Sequence, residues 1–536
     1  MLTLRVRNLL VGRRLRKATS RHLAALTEGP SNAVSQRCSE LLAKLRNEPG
    51  PKVRVGDTAS GEPVSVPLAD FVKACGLTTG GMGSGKTLFA LTQIQSLLDQ
   101  MPGSRFSFGV LDPKGELFER ALYLVWRRAE ALPSAQRREF LDRVVVIDFA
   151  SREAVTSYNI LAPWEYSERD FFITSRLETL KELLPAGEKL SLRGANVLKH
   201  VLLLLSESSL PLTYLDAVLS DDAFRQKLVG QTKDPVLRTY FHRHFAAEGK
   251  QTIGALRARM DTLFAADSVR LALSGSSAPD FRRLQNEGAI VLINCAGRFI
   301  TRGVRLLLQG LVLSDIRQAI FSRPNNPDVT YLWVTDEAQN LLLSRQMLEN
   351  LTDVLTMARS YGTFFSFICQ NLSASVPDGR ILEQLHTNIR WSLTLRGSPH
   401  DAQFLRPALP ITGRLARPDS NPYREPSLYS PEEERTRVFD GIAHLPDRMG
   451  YLWLKTRSSE AVKIKTATVN LPEPATFRQT VDTLRTDPSW GARLSRQEYL
   501  EVINERNREW LGDGEVEPLE ERLEEAYQEE ETVCQS

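Results

Sequence analysis

Hydrophobic and polar residues follow two different patterns along the chain. In residues 55–164 and again in 287–474, short apolar runs alternate with helix-like segments; the runs include RFSFGVLD, RVVVIDFA, AIVLINCAG, VTYLWVTD, TFFSFICQ and IRWSLTLR. Continuous apolar runs of this length are typical of strands that are buried on both faces of a sheet. The pattern therefore predicts an α/β fold with a mostly parallel sheet.

Residues 165–286 interrupt that alternation with helical periodicity alone, as in LRGANVLKHVLLLLSES and TIGALRARMDTLFAAD. They predict an all-α domain inserted between the two halves of the α/β domain. Smaller signals are two short strands in GDTASGEPVSVPLADF and a hairpin or edge pair in YLWLKTRSSEAVKIKTATV. A further helix is expected after VTYLWVTD, up to about Ser360.

Composition indicates an ordinary folded protein. The 536 residues are 42% hydrophobic and 25% charged, and the length suggests about three or four structural units. The longest apolar stretches, Val201–Leu205 and Leu306–Leu313, fall short of the roughly 18 to 20 residues that a membrane-spanning helix needs. The five cysteines form no CxxC pair, which disfavours a zinc site or a disulfide framework. We therefore expect a cytoplasmic protein.

Charge separates the two ends of the chain. Residues 1–50 carry a net charge of +7, and residues 511–536 carry −9. We predict a basic, helical N-terminal arm over 1–54, suited to nucleic acid or an anionic membrane surface, and a helical, acidic C-terminal tail over 475–536. In the tail, an apolar stripe predicts a helix that forms when a partner covers it; the stripe consists of Leu519, Leu523 and Tyr527. Two frayed charged termini are the alternative.

The strongest chemical signal is a glycine-rich loop between a strand and a helix. It has the spacing GxxxxGK[ST] and reads Gly80, Gly81, Met82, Gly83, Ser84, Gly85, Lys86, Thr87, with Leu88 next in the helix. Glycines let successive backbone N–H groups converge on phosphates, and the lysine reaches the β- and γ-phosphates. We predict that residues 80–88 bind ATP and that Thr87 ligates Mg²⁺.

An acidic pair follows the buried strand YLWVT. Asp336 is predicted to hold Mg²⁺ through water, and Glu337 to polarise the water that attacks the γ-phosphate. Carboxylates here lie at the carboxyl end of a strand, where α/β sheets bind ligands. An acidic helix N-cap pair is the alternative reading.

Four further residues are candidates because of their positions at strand ends. Asp112 ends RFSFGVLD and is placed in the nucleotide pocket, and Gln370 ends TFFSFICQ, from where an amide can sense the γ-phosphate. Arg359 and Arg396 flank these strands, and either is a candidate arginine finger acting across a subunit boundary. For both arginines, an ordinary surface role is an equal alternative.

The motifs together resemble a known family. GGMGSGKT, VLDPKGEL, SYNIL, the helical insertion, VTDEAQNLL, MARSYGTFFSFICQN and TNIRWSLTLR occur in the order and spacing of the TraG-like coupling ATPases of conjugation and type IV secretion, within the FtsK/HerA class of RecA-like motors. The resemblance covers roughly residues 55–400. It implies a RecA-like P-loop NTPase domain formed by 55–164 and 287–474, with the all-α domain of 165–286 facing the substrate.

The resemblance also implies a function. Such proteins form hexameric rings that hydrolyse ATP with Mg²⁺ and move DNA, or a DNA–protein complex, to a secretion channel. By that likeness, Lys86 matches the position that binds phosphate, and Thr87 and Asp336 match the positions that bind the metal. Glu337 matches the catalytic position and Gln370 the sensor position, and Arg359 matches the family's arginine that precedes the Tyr-Gly pair.

Membrane contact and two rival functions stay open at this stage. Many members of the family begin with a transmembrane hairpin, which is missing from this sequence, so we expect contact with the inner membrane only through a partner or through the basic arm. One rival is a HerA-like DNA translocase that partners a nuclease in DNA processing or phage defence. The other is a nucleotide-gated adaptor that recruits relaxosome or effector proteins.

Overall fold

The computed structural model describes residues 36–101, 103–183, 190–342, 358–370, 372–376, 379–411, 417 and 427–512. Most of the predicted arm, the apolar stripe of the predicted tail, and residues 343–357 of the helix expected up to Ser360 lie outside these ranges.

The strands, in chain order, are β1 (Lys52–Thr58), β2 (Pro63–Pro67), β3 (Gly76–Thr79), β4 (Phe106–Asp112), β5 (Val144–Asp148), β6 (Ala154–Val155), β7 (Ile290–Asn294), β8 (Thr330–Thr335), β9 (Thr363–Cys369), β10 (Trp391–Leu395), β11 (Met449–Leu454), β12 (Val462–Thr466) and β13 (Leu494–Ser495).

The α-helices are Gln36–Asn47, Leu68–Val72, Lys86–Leu98, Glu116–Glu130, Ser134–Leu141, Arg169–Leu183, Leu192–Glu207, Leu215–Ser220, Asp222–Gln231, Pro235–Thr239, Lys250–Leu263, Asp267–Leu273, Phe281–Glu287, Arg302–Phe321, Leu372–Ser375, Gly379–Asn388, Pro399–Ala402, Pro431–Asp440, Pro474–Thr486 and Arg496–Leu511. Short 3₁₀ turns are Leu212–Tyr214, Phe245–Ala247, Ala338–Leu342, Ala358–Tyr361, Gln403–Ala408 and Gly441–His444, and Tyr240–His244 is a π-helical turn.

The chain divides into two compact units. Unit 1 consists of Met1–Leu97 and Phe365–Asn470, and unit 2 of Leu98–Phe364 and Leu471–Ser536. Each unit contains strands and helices, as the alternating sequence pattern predicts.

Unit 1 has the strand order β2-β1-β12-β11-β10-β3-β9. Strand β3 pairs in parallel with β9 and β10, and the remaining pairs, from β10 outward to β2, are antiparallel. The two short strands expected before the glycine-rich loop are β1 and β2, and the predicted hairpin is β11 with β12. Both predictions are confirmed.

Strand β3 has only four residues, yet it is buried along its whole length. Its first residue, Gly76, faces the indole of Trp391, and a Cβ there would overlap the ring. The indole in turn makes edge contacts with Phe71 and Phe89, with ring centroids 4.8 and 6.0 Å away. Close aromatic packing therefore fixes the strand that leads into the glycine-rich loop.

Unit 2 has the strand order β8-β4-β7-β5, and all three pairs are parallel. These strands are the apolar runs that the sequence assigned to a doubly covered sheet, and most of their residues are buried. Helix Arg302–Phe321 connects β7 to β8, and it buries four residues whose spacing of three and four places them on one helix face: Val304, Leu307, Leu308 and Leu311.

The described residues between β6 and β7 form helices and turns and no strand, in the region predicted as an all-α insertion. Helix Arg169–Leu183 is tied to helix Arg302–Phe321 by a fully buried ion pair between Arg176 and Asp315. Arg176 also donates from Nε to the Ile160 carbonyl at 2.9 Å.

The C-terminal part of the described chain belongs to unit 2. Helix Pro474–Thr486 contacts helix Glu116–Glu130, and Arg485 donates from Nε to the Asp148 carboxylate, which ends β5, at 2.8 Å. Residues 475–512 of the predicted tail therefore form part of unit 2, with helices Pro474–Thr486 and Arg496–Leu511. Residues 513–536 lie outside the described residues.

Within the described ranges, no helix has the length and apolar character that a bilayer crossing demands.

Because of a half-buried histidine in unit 1, we expect the protein to lose stability in acid. Burial, with the nearby Lys455 charge, lowers the pKa of His386 to about 3, and its ring stacks on Phe404 with centroids 3.8 Å apart. The unfolded chain takes up this proton near pH 6.5 and the folded chain does not, so the stabilisation is complete above pH 6.5 and is lost as pH falls toward 3. At pH 5 the loss is about 2 kcal/mol relative to pH 7.5.

The His386→Phe variant keeps a ring against Phe404 without a titrating group. We expect its melting temperature to fall less than that of wild type between pH 7.5 and 5, as measured by differential scanning calorimetry. His444→Gln, at an exposed position, serves as the control and should follow wild type. An equal acid response in the His386→Phe variant and wild type would contradict the assignment.

Candidate functional site

The glycine-rich loop of unit 1 joins β3, which ends at Thr79, to the helix that begins at Lys86. Gly83 and Gly85 have φ of +70° and +101°, values that side-chain-bearing residues adopt at a cost. At Gly85 a Cβ would also lie 2.9 Å from Cγ of Arg448. The loop conformation therefore requires the glycines that the motif supplies.

Lys86 is buried and turns back over this loop. Its Nζ donates to the carbonyls of Gly80 at 2.8 Å and Gly81 at 2.7 Å, and Ser84 Oγ donates to the same Gly81 carbonyl at 2.8 Å. The ammonium is thereby held against the backbone that the motif assigns to phosphate. Met82 at the loop tip is 83% exposed, and Thr87 and Leu88 are half-buried in the first turn of the helix.

Two predicted residues flank the loop within unit 1. Thr79 pairs with Cys369 of β9 and with Thr394 of β10, so the ends of both strands adjoin the start of the loop. Gln370 is the residue directly after β9, and the Arg396 carbonyl accepts from Gly81 N–H at 2.6 Å. The Arg396 guanidinium pairs with Asp447 at 2.7 Å, so its side chain already has an anionic partner in the same unit.

Arg448 is a neighbour of the loop that the sequence reasoning missed. Its N–H donates to the Ser84 carbonyl at 3.0 Å, and its Nη2 donates to the Thr466 carbonyl at 2.7 Å. It lies in the turn before β11, far along the chain from the loop, and no local motif marks it. Only the strand pairing reveals its position.

The acidic residues of unit 2 lie at neighbouring strand ends. Leu111 of β4 pairs with Thr335 of β8, and Asp112 and Asp336 follow these residues. Burial raises the pKa of Asp336 to about 7, and the charge of Asp112 is the second-largest cause of this increase. Burial likewise raises the pKa of Asp112. The structure thus brings these two predicted carboxyl groups together in a low-dielectric environment, where like charges repel strongly.

Asp112 has a structural task. Its Oδ1 accepts from Lys114 N–H at 2.7 Å and its Oδ2 from Phe118 N–H at 2.9 Å. Both oxygens therefore fix the turn that starts helix Glu116–Glu130, in the manner of a helix cap. The predicted place of Asp112 in the nucleotide pocket stays a prediction.

Glu337 has an unusual backbone for a side-chain-bearing residue, with φ of +48°. Such a conformation costs on the order of 1–3 kcal/mol and persists where surrounding contacts enforce it. Its carboxylate forms an ion pair with Lys114 and accepts a hydrogen bond from Gln339. The sequence placed the DPKGE segment, which contains Lys114, at the same pocket, but it did not predict that Lys114 or Gln339 pairs with Glu337.

Arg359 lies near the amino end of β8, whereas Asp336 follows its carboxyl end. The Arg359 carbonyl accepts from Gly362 N–H, and the Gly362 carbonyl accepts from Tyr331 N–H near the start of β8. Asp336 follows the other end of β8, five residues on, or roughly 16 Å away at strand rise. The structure therefore does not bring Arg359 to the acidic residues of the same chain, and the side chain is exposed.

The donors in both units suit a hard cation. Carboxylate and hydroxyl oxygens, such as those of Asp336 in unit 2 and Thr87 in unit 1, are the ligands that Mg²⁺ prefers, usually with waters and phosphate oxygens in the remaining positions.

Comparison with family models gives no match, and neither does comparison with curated proteins. Solved structures do match. The bacterial conjugative coupling protein TrwB, in an unbound form, superposes with a TM-score of 0.51 over 86% of this chain and 95% of its own, at 15% identity. The fold is that of TrwB. TrwB with ADP and Mg²⁺ gives 0.50, over 86% and 96% of the chains, and TrwB with an ATP analogue gives 0.51, over 83% and 95%, each at 15% identity.

The likeness to TrwB confirms the predicted α/β, RecA-like fold. At 15% identity it speaks for the fold alone, and the nucleotide and metal are those of the TrwB structures.

Proposed function

We propose that the chain is a magnesium-dependent ATPase of the conjugative coupling class. It binds DNA and moves it, or delivers a DNA–protein substrate, to a type IV secretion channel. The observation that carries the proposal is the loop of residues 80–87 at the end of a buried strand, with its left-handed glycines and inward-turned Lys86, an arrangement suited to binding phosphate. The shared fold with TrwB, which has been seen with ADP and Mg²⁺, supports it.

In this proposal the loop and Lys86 hold the phosphates of ATP, and Thr87 and Asp336 hold Mg²⁺. Bound there, Mg²⁺ neutralises charge on the β- and γ-phosphates. Glu337 accepts a proton from the attacking water, and Gln370, at the end of β9, senses the γ-phosphate.

The proposed assembly is a homo-hexamer with a cytoplasmic location at the inner membrane, reached through channel or relaxosome proteins or through the basic arm. The position of Arg359 supports a shared site, because its exposed side chain lies about a strand's length from the acidic residues of its own chain. In this proposal Arg359 acts on nucleotide bound in a neighbouring subunit, as an arginine finger does.

ATP hydrolysis with and without DNA, at low and moderate salt, tests the function. We expect DNA to stimulate turnover and the stimulation to weaken steeply with salt, because each phosphate contact releases counterions. Glu337→Gln should lower turnover about 100-fold or more while ATP still binds. ATP binding without DNA-stimulated turnover would favour the nucleotide-gated adaptor, and absence of ATP binding would refute the proposal.

DNA-stimulated ATP hydrolysis is expected of a HerA-like translocase as well as of a coupling protein. A mobilisation assay separates the two: deletion of the gene abolishes transfer of its element if the chain is a coupling protein, and leaves transfer intact if it partners a nuclease.

A further inference from the structure

The carboxylate of Glu337 is engaged on both oxygens. Lys114 Nζ forms an ion pair with Oε1, and Gln339 Nε2 donates to Oε2. The Glu337 side chain is 11% exposed, whereas that of Lys114 is 41% exposed. The carboxylate is therefore nearly enclosed, and the ammonium that covers it has a direct path to solvent.

Two neighbouring strand ends build this contact. On one side, the Asp112 carboxylate fixes the turn after β4 through the N–H groups of Lys114 and Phe118. On the other, Asp336 N–H donates to the Leu111 carbonyl at 3.1 Å and the Asp336 carboxylate accepts from Glu337 N–H at 2.8 Å. The backbones of Lys114 and Glu337 are thus both anchored, unlike those of a pair formed by two mobile surface side chains.

The left-handed backbone of Glu337 adds a second, independent observation. A side-chain-bearing residue holds φ near +48° only where its surroundings enforce it, and such strain concentrates at switch and active-site positions. Its contacts include the side-chain contacts with Lys114 and Gln339, the bond from its own N–H to the Asp336 carboxylate, and the bond from Asn340 N–H to its carbonyl at 2.9 Å. Without the Lys114 contact, fewer interactions hold the Glu337 side chain and its strained backbone in this conformation.

We propose that Lys114 is a positioning residue that holds Glu337 in a resting orientation and thereby suppresses ATP hydrolysis in the absence of DNA. The inference rests on the proposed function, since it concerns the glutamate assigned there as general base. In hydrolysis, a bond forms between the water oxygen and the γ-phosphorus, the bond from that phosphorus to the ADP oxygen breaks with its electron pair going to ADP, and a water proton goes to Glu337. An ammonium on the accepting oxygen competes with that water for the same lone pairs.

The opposite role for Lys114 is that it orients Glu337 productively. The two roles differ in the sign of the effect. Removing a restraint raises turnover without DNA, whereas removing a productive orienting contact lowers it under all conditions. Loss of fold lowers turnover as well, so only the resting restraint predicts a gain.

The test compares wild type, Lys114→Met, Lys114→Arg and Lys181→Met in the full chain. Lys181 is a matched control, because it is another partly exposed lysine of unit 2 with a carboxylate partner, Glu178. For each protein, kcat and KM for ATP are measured with and without DNA, and melting temperature checks the fold.

For Lys114→Met we expect kcat without DNA to rise about tenfold, which is less than the rate enhancement that a general base usually contributes. The KM for ATP and the DNA-stimulated kcat should stay within about twofold of wild type. Lys114→Arg keeps a cation and should restore most of the restraint, and Lys181→Met should match wild type. Adding Gln339→Leu to Lys114→Met should raise DNA-free kcat further.

A folded Lys114→Met with unchanged or lower DNA-free kcat would overturn the inference while wild-type hydrolysis kept the proposed function intact. Lack of hydrolysis in both wild type and Lys114→Met would refute the proposed function and the restraint together. Hydrolysis by Lys114→Met, with none by wild type, would support both the proposed function and the restraint by Lys114.

Discussion

Replacing Lys86 with alanine is expected to lower ATP turnover by about 100-fold or more, the usual effect of removing a donor that stabilises transition-state charge. Lys86 begins the helix after the glycine-rich loop, and its buried ammonium is held at the Gly80 and Gly81 carbonyls. Alanine removes the only side-chain charge that the loop itself carries, while the helix N-terminus and the loop backbone remain. ATP binding should therefore weaken together with turnover.

The measurement is steady-state hydrolysis beside equilibrium binding of a fluorescent ATP analogue. Because Lys86 is buried, Lys86→Met, which keeps most of the apolar stem, accompanies the alanine variant to separate loss of charge from loss of packing. Lys44→Ala, on the exposed face of helix Gln36–Asn47 in the same unit, is the control and should behave as wild type. Turnover within about threefold of wild type in both Lys86 variants would contradict the assignment of the loop.

Local sequence signals predicted the glycine-rich turn after β3 and the buried strand before Asp336. The glycine spacing at residues 80–87 marks a backbone conformation that few other residues adopt, and the apolar run before Asp336 marks a buried strand. Both depend on residues close together in the chain, so their signals are contained in short windows. The same holds for the hairpin of β11 and β12 and for the buried face of helix Arg302–Phe321.

Long-range partners were not predictable in the same way. Arg448 reaches the glycine-rich loop because β11 pairs with β10, and Arg485 reaches Asp148 because a C-terminal helix packs on unit 2. In the sequence, each is one arginine among many charged residues, and nothing nearby distinguishes it from a solvated one. The ion pair of Lys114 with Glu337 belongs to the same class, since it depends on two strand ends meeting.

The largest expected loss of stability comes from another such pair. Replacing Arg176 with methionine should destabilise unit 2 by about 3–5 kcal/mol, because it leaves the Asp315 carboxylate buried without its counter-charge. Arg176 and Asp315 are each only 1% exposed. The Arg176 guanidinium also lies 4.4 Å from the Phe172 ring centroid, and Tyr158 O–H donates to Asp315 at 2.6 Å.

The cost arises from the uncompensated charge more than from the lost contact. The double variant Arg176→Met/Asp315→Leu removes both charges and should recover most of the stability, since apolar residues of similar size often replace a buried ion pair without loss. Some deficit should remain, because Tyr158 O–H then lacks its acceptor and the Ile160 carbonyl loses the Arg176 donor. A double variant as unstable as the single one would show that packing, and not charge, sets the effect.

Hydrogen exchange in peptides from helices Arg169–Leu183 and Arg302–Phe321 measures the loss where it arises, because a chain of two units need not unfold in one step. The matched control is Arg257→Met, which breaks the exposed ion pair with Asp216 in the same unit and should cost under about 1 kcal/mol. If Arg176→Met costs no more than this control, the buried pair does not hold the two helices together. If it costs several kcal/mol and the double variant recovers most of that loss, the uncompensated Asp315 charge accounts for the weakened packing of the two helices.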